Sequence, residues 1–292
     1  MSVHPQPDLR DGDVALRLDE ADGRSAVSFL VEHQGRVAGK VRVRQTGDGN
    51  GELCWTVHPE HRGHGVAARA VRLLIRYAFD ELGLHRVAAY ADPEDGASLR
   101  TAGRAGLRRE GLVRAERHDR VQLARLATDP EPTSRDGFIG VLNAALPTKR
   151  IIAQGLIHNS AGEILLCELT YKKEWDLPGG VVDPHESPAQ ALVREIWEEL
   201  QVEVLPRSLV AVNWLPRYRG WDDAMLFVFD VGVDDQVIAR AHLEPRELES
   251  LHWCTLEEVE LRAAPYVTRM LHRLAHLTEG TAYLEDGSDP GW

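Results

Sequence analysis

Short runs in which apolar and polar residues alternate occupy 14–18, 26–32, 36–44 and 52–57, the period of half-buried strands. From 66 to 82 the apolar positions recur at three- and four-residue spacing instead, which predicts a helix. A strand over 86–90, a helix over about 98–105, Gly106 and a strand near 117–126 complete this first stretch. The pattern then breaks across 127–136, where two prolines and a cluster of small polar residues predict a linker at 129–136. It resumes with strands at 151–157 and 163–168, a glycine-containing loop, a strong helix over 188–200, strands at 209–215 and 224–231, and a last helix over 265–277. Strands interleaved with helices on both sides of one break predict an α+β protein of two domains, 1–128 and 137–292.

The length of 292 residues agrees with two domains at roughly 150 residues each. No run approaches the ~18 apolar residues of a membrane span, so no membrane partner is expected. The first residues have neither a basic region nor an apolar one, so the expected compartment is the cytoplasm. Cys54, Cys167 and Cys254 are widely spaced and odd in number, which excludes a disulfide framework and predicts three buried thiols. Charge changes the picture more. Of the net charge of −12, residues 1–128 hold +2 and residues 129–292 hold −14. An acidic half is a poor general nucleic-acid binder, because phosphate contacts rest on cationic side chains, so no nucleic-acid partner is expected. A homodimer is compatible with the sequence.

The helix over 188–200 carries the most chemistry. Ser187 suits its N-cap, Pro188 its first position and Gln190 the capping box. Ala189, Leu192, Val193, Ile196, Trp197 and Leu200 form an apolar stripe expected to face the core. Glu195, Glu198 and Glu199 fall within an arc of about 100° on the other side, where they are expected to share one exposed patch. Like charges so placed destabilise a helix by a few tenths of a kcal/mol per pair. A hard divalent cation offsets that cost; a merely solvated acidic face is the alternative.

The full spacing, Gly180-x5-Glu186-x7-Arg194-Glu195-Ile196-x-Glu198-Glu199-x-Gln201-Val202, resembles the Nudix box, with Gln201 where that family has Gly. The resemblance covers roughly 138–277. It implies an α/β/α sandwich and hydrolysis of a nucleoside diphosphate linked to another group, a small-molecule nucleotide substrate, with Mg2+ or Mn2+. Carried over by position, Glu195, Glu198 and Glu199 are expected to bind the metal, Arg194 to orient them and Glu186 to support the box. Gly179, Gly180 and Trp175, just before it, are the expected substrate contacts. Glu195, or a later carboxylate such as Asp222 or Asp223, is the candidate base. Trp175, Trp214, Tyr218 and Trp221 are candidates to stack on a nucleobase, with core packing the alternative for Trp175 and Trp214; Arg217 and Arg219 could meet phosphate. Gln201 is expected to take a left-handed conformation at a cost near ~1 kcal/mol.

In the first half, a strand ending at Val57 leads through Pro59 and Arg62-Gly63-His64-Gly65 into the helix at Val66. Uncapped amides at such a helix start, with glycines allowing close approach, suit a pyrophosphate; a tight connection without ligand has the same sequence. The segment Glu60-His-Arg-Gly63-His-Gly65, with Pro93 through Ser98, Gly106-Leu and Arg109-Glu-Gly111, resembles GNAT acetyltransferases over about 27–126. That implies an abbreviated mixed sheet with flanking helices. It also implies acetyl-CoA held by Val57, Arg62, Gly63, His64, Gly65, Val66 and Ala67, and an amine or protein N-terminus as acetyl acceptor. Glu60 and Asp95 depart from the family pattern, and too few residues precede 26–32 for the two helices that shape its acceptor site. A ligand-binding sensor or scaffold, with one or both domains inactive, is the competing reading.

Overall fold

The computed structural model describes residues 9–19 and 26–292, so the N-terminal residues 1–8 read above for a targeting signal lie outside it. The chain forms two compact units that part between Pro147 and Thr148, which moves the boundary from the expected linker. The segment 129–136 is tied to the first unit. Asp129 pairs with Arg108 and Glu131 with the buried Arg125, Pro132 packs on Gly106, and the Ser134 hydroxyl caps a helix by accepting from the Gly137 amide at 3.1 Å. The prolines therefore mark a turn before a helix that periodicity alone did not show. With Asp129, Glu131, Arg135 and Asp136 reassigned, the first unit balances at 21 basic and 21 acidic residues. The whole net charge of −12 belongs to the second.

In the first unit, β1 (Arg10–Asp11), β2 (Val14–Leu18), β3 (Ala26–His33), β4 (Arg36–Gly47) and β5 (Asn50–Val57) are followed by a single 3-10 turn (Pro59–His61). Next come α1 (Val66–Asp80), β6 (Arg86–Ala91), α2 (Gly96–Arg104), β7 (Arg108–Val113), β8 (Arg120–Leu126) and α3 (Arg135–Ala145). The sheet order is β1-β2-β3-β4-β5-β6-β8-β7. Strand alternation sends Val41, Val43, Val87 and Leu123 into one core with Val66, Val71, Leu74 and Ile75 of α1. No α-helix precedes α1 among the described residues. The mixed sheet with flanking helices is as expected, and among the described residues it holds eight strands. β5 and β6 run parallel but pair only from Asn50↔Arg86 to Glu52↔Ala88, after which each strand continues without the other. The gap lies beside the end of β5 that leads into α1.

The second unit contains β9 (Arg150–His158), β10 (Ile164–Leu169), β11 (Gly179–Val181), α4 (Pro188–Leu200), β12 (Ser208–Leu215) and β13 (Ala224–Val233). It continues with α5 (Val237–Arg240), β14 (Leu248–Cys254), α6 (Leu256–Arg262), α7 (Pro265–Ala275) and β15 (Ala282–Glu285). The sheet order is β14-β10-β9-β13-β12-β15, with β11 added on β9. On one face Ala153, Ile157 and Leu165 pack against Leu192, Ile196 and Leu200 of α4. On the other, Leu166, Leu226 and Val228 meet Val259, Val267 and Met270 of α6 and α7. This is the expected α/β/α sandwich. Among the described residues no helix is long and apolar enough to cross a membrane. Cys167 and Cys254 are buried, whereas Cys54 is exposed, contrary to expectation: it sits on β5 between Leu53 and Trp55, on the face that α1 does not cover.

Candidate active sites

The helix α4 begins as its sequence dictates. The Ser187 hydroxyl accepts from the Gln190 amide, and the Gln190 side chain accepts from the Ser187 amide, closing the capping box. Its orientation differs from the expected stripe. Ala191, Leu192, Ile196, Leu200 and Glu199 are buried, while Trp197 is 45% exposed. The three glutamates therefore do not share an exposed patch. Side-chain exposure is 56% for Glu198 and 15% for Glu195, and Glu199 as a whole residue is 6% exposed. The apolar face is rotated toward Ala191 because β11 lies over this part of the helix, and Gly179 and Gly180 there leave room for acidic side chains. A methyl group on Gly180 would sit 2.5 Å from the Glu195 carboxyl carbon. The Gly179 amide donates to Glu199 at 3.4 Å.

Arg194 organises the remainder. Its Nε and Nη2 donate to both Glu186 oxygens at 3.0 and 2.9 Å, and Nη2 also reaches the Val181 carbonyl. Nη1 donates to Glu195 and to Glu198, each at 3.0 Å. Five hydrogen bonds in a fixed fork make this side chain the spacer between carboxylates. Hydrogen bonding to Arg194 holds Glu186 below the usual carboxylate range. Burial pushes Glu195 up despite Arg194, and pushes Glu199 up to about 8, with Glu195, Glu247 and Asp176 adding to the effect. Among the described residues no three such side chains already converge at metal-ligating distance, because Arg194 stands between Glu195 and Glu198. The donors nevertheless fit a hard divalent cation. Glu199 is a buried carboxyl answered by one amide, and Glu195 and Glu198 face each other across a single nitrogen.

Other candidates separate. Trp175 is 8% exposed; its ring stacks on His252 at 4.0 Å with Arg262 5.2 Å from its centre, so it is a core aromatic rather than an open substrate contact. Asp223 is bonded by Lys149 and by Trp214 Nε1, which hold its pKa down and make it a poor base. Register places Ala224 opposite Arg150 and Val181 opposite Ile152, so the β12–β13 loop and the end of β11 share one end of β9. That loop exposes Tyr218 and Trp221, with Arg219 over the first ring and Arg150 over the second. Glu247, on the turn before β14, was not singled out in sequence. Its link to the box is made by the chain passing α4, where Glu244 donates its amide to the Glu199 carbonyl, and no local motif announces it.

In the first unit the Gly-x-Gly turn is open. Gly63 and Gly65 have φ of +81° and +71°, and nothing lies within 4 Å of where their Cβ atoms would be. Gly65 is the N-cap of α1 and supplies no side-chain acceptor, which leaves the first amides of the helix uncapped. Arg62 folds back to donate from Nε to the Val57 carbonyl at 3.0 Å, fixing the turn against the end of β5. Exposed His64, buried Val66 and half-buried Ala67 follow in the chain. These features fit a pyrophosphate-bearing ligand running from the β5–β6 gap to the helix N-terminus. The two departures have local explanations: Glu60 is exposed beside His58, and Asp95 caps α2 by accepting from the Ala97 and Ser98 amides.

Comparison with known proteins agrees with both halves. The family model described as NUDIX domain matches residues 148–274, and that described as Acetyltransferase (GNAT) domain matches residues 4–108. The uncharacterized N-acetyltransferase YnaD of Bacillus subtilis (strain 168) is 34% identical over 39% of this chain and 69% of its own length. The RNA pyrophosphohydrolase of Acidiphilium cryptum (strain JF-5) is 30% identical over 45% of this chain and 90% of its own. A putative 8-oxo-dGTP diphosphatase of Bacillus subtilis (strain 168) is 29% identical over 40% of this chain and 74% of its own. The chain belongs to the Nudix hydrolases through its second unit and to the GNAT acetyltransferases through its first.

Proposed function

We propose that the second unit hydrolyses a pyrophosphate bond in a nucleoside diphosphate derivative with Mg2+ or Mn2+ held by Glu195, Glu198 and Glu199. The observation that carries this reading is the buried Glu199 carboxyl, set beside two further glutamates and, among the described residues, with no cationic side chain of its own. A divalent ion bound there would polarise the phosphoryl oxygens and acidify a water. The chain's own residues do the rest. Arg194 fixes Glu186, Glu195 and Glu198 in one plane of hydrogen bonds, and Gly180 gives the Glu195 carboxylate its clearance. Tyr218 and Trp221 offer exposed rings to a nucleobase, and Arg217 and Arg219 offer charge to its phosphates. The proton of the attacking water goes to Glu195, Glu247 or Asp222, since Asp223 is held ionised by Lys149 and Trp214. The names of the two hydrolase relatives point to nucleoside phosphates in RNA and in a free nucleotide. The substrate panel therefore includes nucleoside triphosphates, 5′-triphosphorylated RNA and ADP-ribose-type diphosphates. Metal-dependent turnover of a panel member, lost in Glu198→Gln, is expected; no turnover with either metal sinks the reading.

The first unit is read as an acetyl-CoA-binding module, with acetyl transfer to an amine or protein N-terminus as a second activity. The uncapped start of α1 and the β5–β6 gap support it. Glu60 and Asp95, which depart from the family pattern, favour a second reading for this unit, binding without transfer. Calorimetry with acetyl-CoA, followed by an acetylation assay on amine and peptide acceptors, separates the two.

A further inference from the structure

Three imidazoles gather beside the Gly-x-Gly turn of the first unit, brought from parts of the chain that no motif connects. His33, the last residue of β3, is 6% exposed. Its Nε2 lies 3.0 Å from Asp13 Oδ2, and its Nδ1 lies 3.0 Å from Nδ1 of His61, the last residue of the 3-10 turn. His33 and His61 meet edge-on at 80°, and His64, inside the turn itself, stacks on His33 with ring centres 6.4 Å apart. Arg69 of α1 donates to the other oxygen of Asp13 and keeps that carboxyl below its usual range.

The proton count of this relay is constrained by its geometry. An Nε2 facing an ionised carboxylate carries the hydrogen. Two Nδ1 atoms at 3.0 Å need one proton between them, no fewer and no more. A neutral pair satisfies both conditions and leaves His61 Nε2 bare. One added proton gives the pair a single positive charge without breaking a bond. A second would set two N–H groups head to head. The contact therefore admits one added charge across the two rings and not two. The other charges facing them are Asp13 and Arg69, Asp11 with Arg72 one turn further along α1, Arg62 on the turn, and the exposed pair of His58 and Glu60.

We propose that the Asp13–His33–His61 relay, with His64, is a proton-coupled part of the anion site. An anion seated on the amides from Gly63 to Ala67 draws one proton onto the imidazole pair, so the first unit binds a pyrophosphate-bearing nucleotide more tightly as pH falls through the imidazole range. This rests on the reading of that turn as the cofactor's pyrophosphate site. Imidazole is the side chain whose charge changes between pH 5 and 8. With one proton taken up per ligand, affinity changes by at most about tenfold per pH unit.

The test uses the full chain and dephospho-CoA, whose pyrophosphate has no group titrating between pH 6 and 8, unlike the 3′-phosphate of CoA. Calorimetry at pH 7 in two buffers of different ionisation enthalpy is expected to show uptake of up to one proton per ligand. The dissociation constant is expected to be about tenfold weaker at pH 8 than at pH 6. His61→Gln, a half-exposed position that spares the buried His33, is expected to keep its circular dichroism and lose both the proton uptake and the slope. His64→Gln is expected to shrink the slope in part. Binding with no proton uptake and a flat profile overturns the coupling alone, as does a His61→Gln protein with the wild-type slope. Absence of binding at every pH removes the cofactor reading and the coupling with it.

Discussion

The two units use glycine beside their candidate sites in opposite ways, and the difference follows from charge. In the second unit Gly180 is needed for the atom it lacks, since a Cβ would enter the space of the Glu195 carboxylate. In the first, Gly63 and Gly65 have empty space around them and are needed for their positive φ, which turns backbone amides outward. One site concentrates negative charge and would need a cation to meet a phosphate; the other offers partial positive charge from a helix start and would need none. The charge division follows the same line, with the first unit neutral and all 12 net negative charges on the second. A glycine pair in sequence is therefore ambiguous until the charges around it are placed.

Removing the buried carboxylate should break this contrast most severely. Glu199→Gln is expected to lower metal-dependent hydrolysis by more than about 100-fold, beyond what the loss of an outer-shell partner costs. The same change should stabilise the metal-free protein in alkali. Glu199 titrates near 8 when folded, above its ordinary 4.5, so between those values the folded chain holds a proton that the unfolded chain has lost. Stability from this group is complete below about pH 4.5 and falls as pH rises through 8, by at most about 1.4 kcal/mol per unit. Thermal melts in EDTA at pH 6 and pH 9 should show a steeper loss for the wild type than for Glu199→Gln. Equal slopes would mean that Glu199 is not a buried acid.

Alanine at the two kinds of glycine should sharpen the comparison. Gly180→Ala introduces no left-handed strain, but displaces Glu195, and is expected to cost about 10- to 100-fold in hydrolysis with little change in melting temperature. Gly65→Ala meets no neighbour, yet holds a methyl-bearing residue at φ +71°, and is expected to destabilise the protein by about 1–2 kcal/mol. Denaturant melts and steady-state rates on both variants check the pair; the reverse assignment of effects would undo the distinction.

How much of this was legible in sequence follows the same physics. The start of α4 was written locally, in Ser187, Pro188 and Gln190, and the structure begins the helix there. Its buried face was not, because Glu199 points inward against the hydrophobic rule and only β11 explains why. α3 was hidden by Pro130 and Pro132, and by an apolar face that leaves Phe138, Ile139 and Leu142 exposed. β7, Arg108–Val113, has an edge strand's weak pattern and no buried residue. The turn at 62–65 was readable, whereas His33 and Asp13 reach it only through the β2–β3 pairing.

Metal binding gives a smaller effect of known sign. A cation requires Glu199 ionised, so below about pH 8 binding must displace its proton, and affinity for Mg2+ should weaken as pH falls, by at most about tenfold per unit. Titration with Mg2+ in weakly buffered solution at pH 7 should acidify it, and Glu199→Gln should abolish that release. The first unit is expected to show the opposite sign, proton uptake on binding its anion.

The smallest expected effect concerns Gln201, where the box departs from glycine. The residue takes the left-handed conformation, φ +55°, that glycine would supply. A non-glycine residue there costs about 1 kcal/mol or more. Two things reduce what Gln201→Gly can recover. The Gln201 side chain donates to the Trp197 carbonyl at 3.0 Å, a second bond to an oxygen that already accepts from the Gln201 amide. Glycine also gives the unfolded chain more freedom, worth roughly 0.5–1 kcal/mol against it. The balance predicts a stability change within about 1 kcal/mol, or roughly 2–4 °C in the melting of this unit. Hydrolysis should be unaltered, since no carboxylate of the box touches this residue. A large loss of activity in Gln201→Gly with an unchanged melt would place the helix end in the chemistry, where the geometry gives it no part.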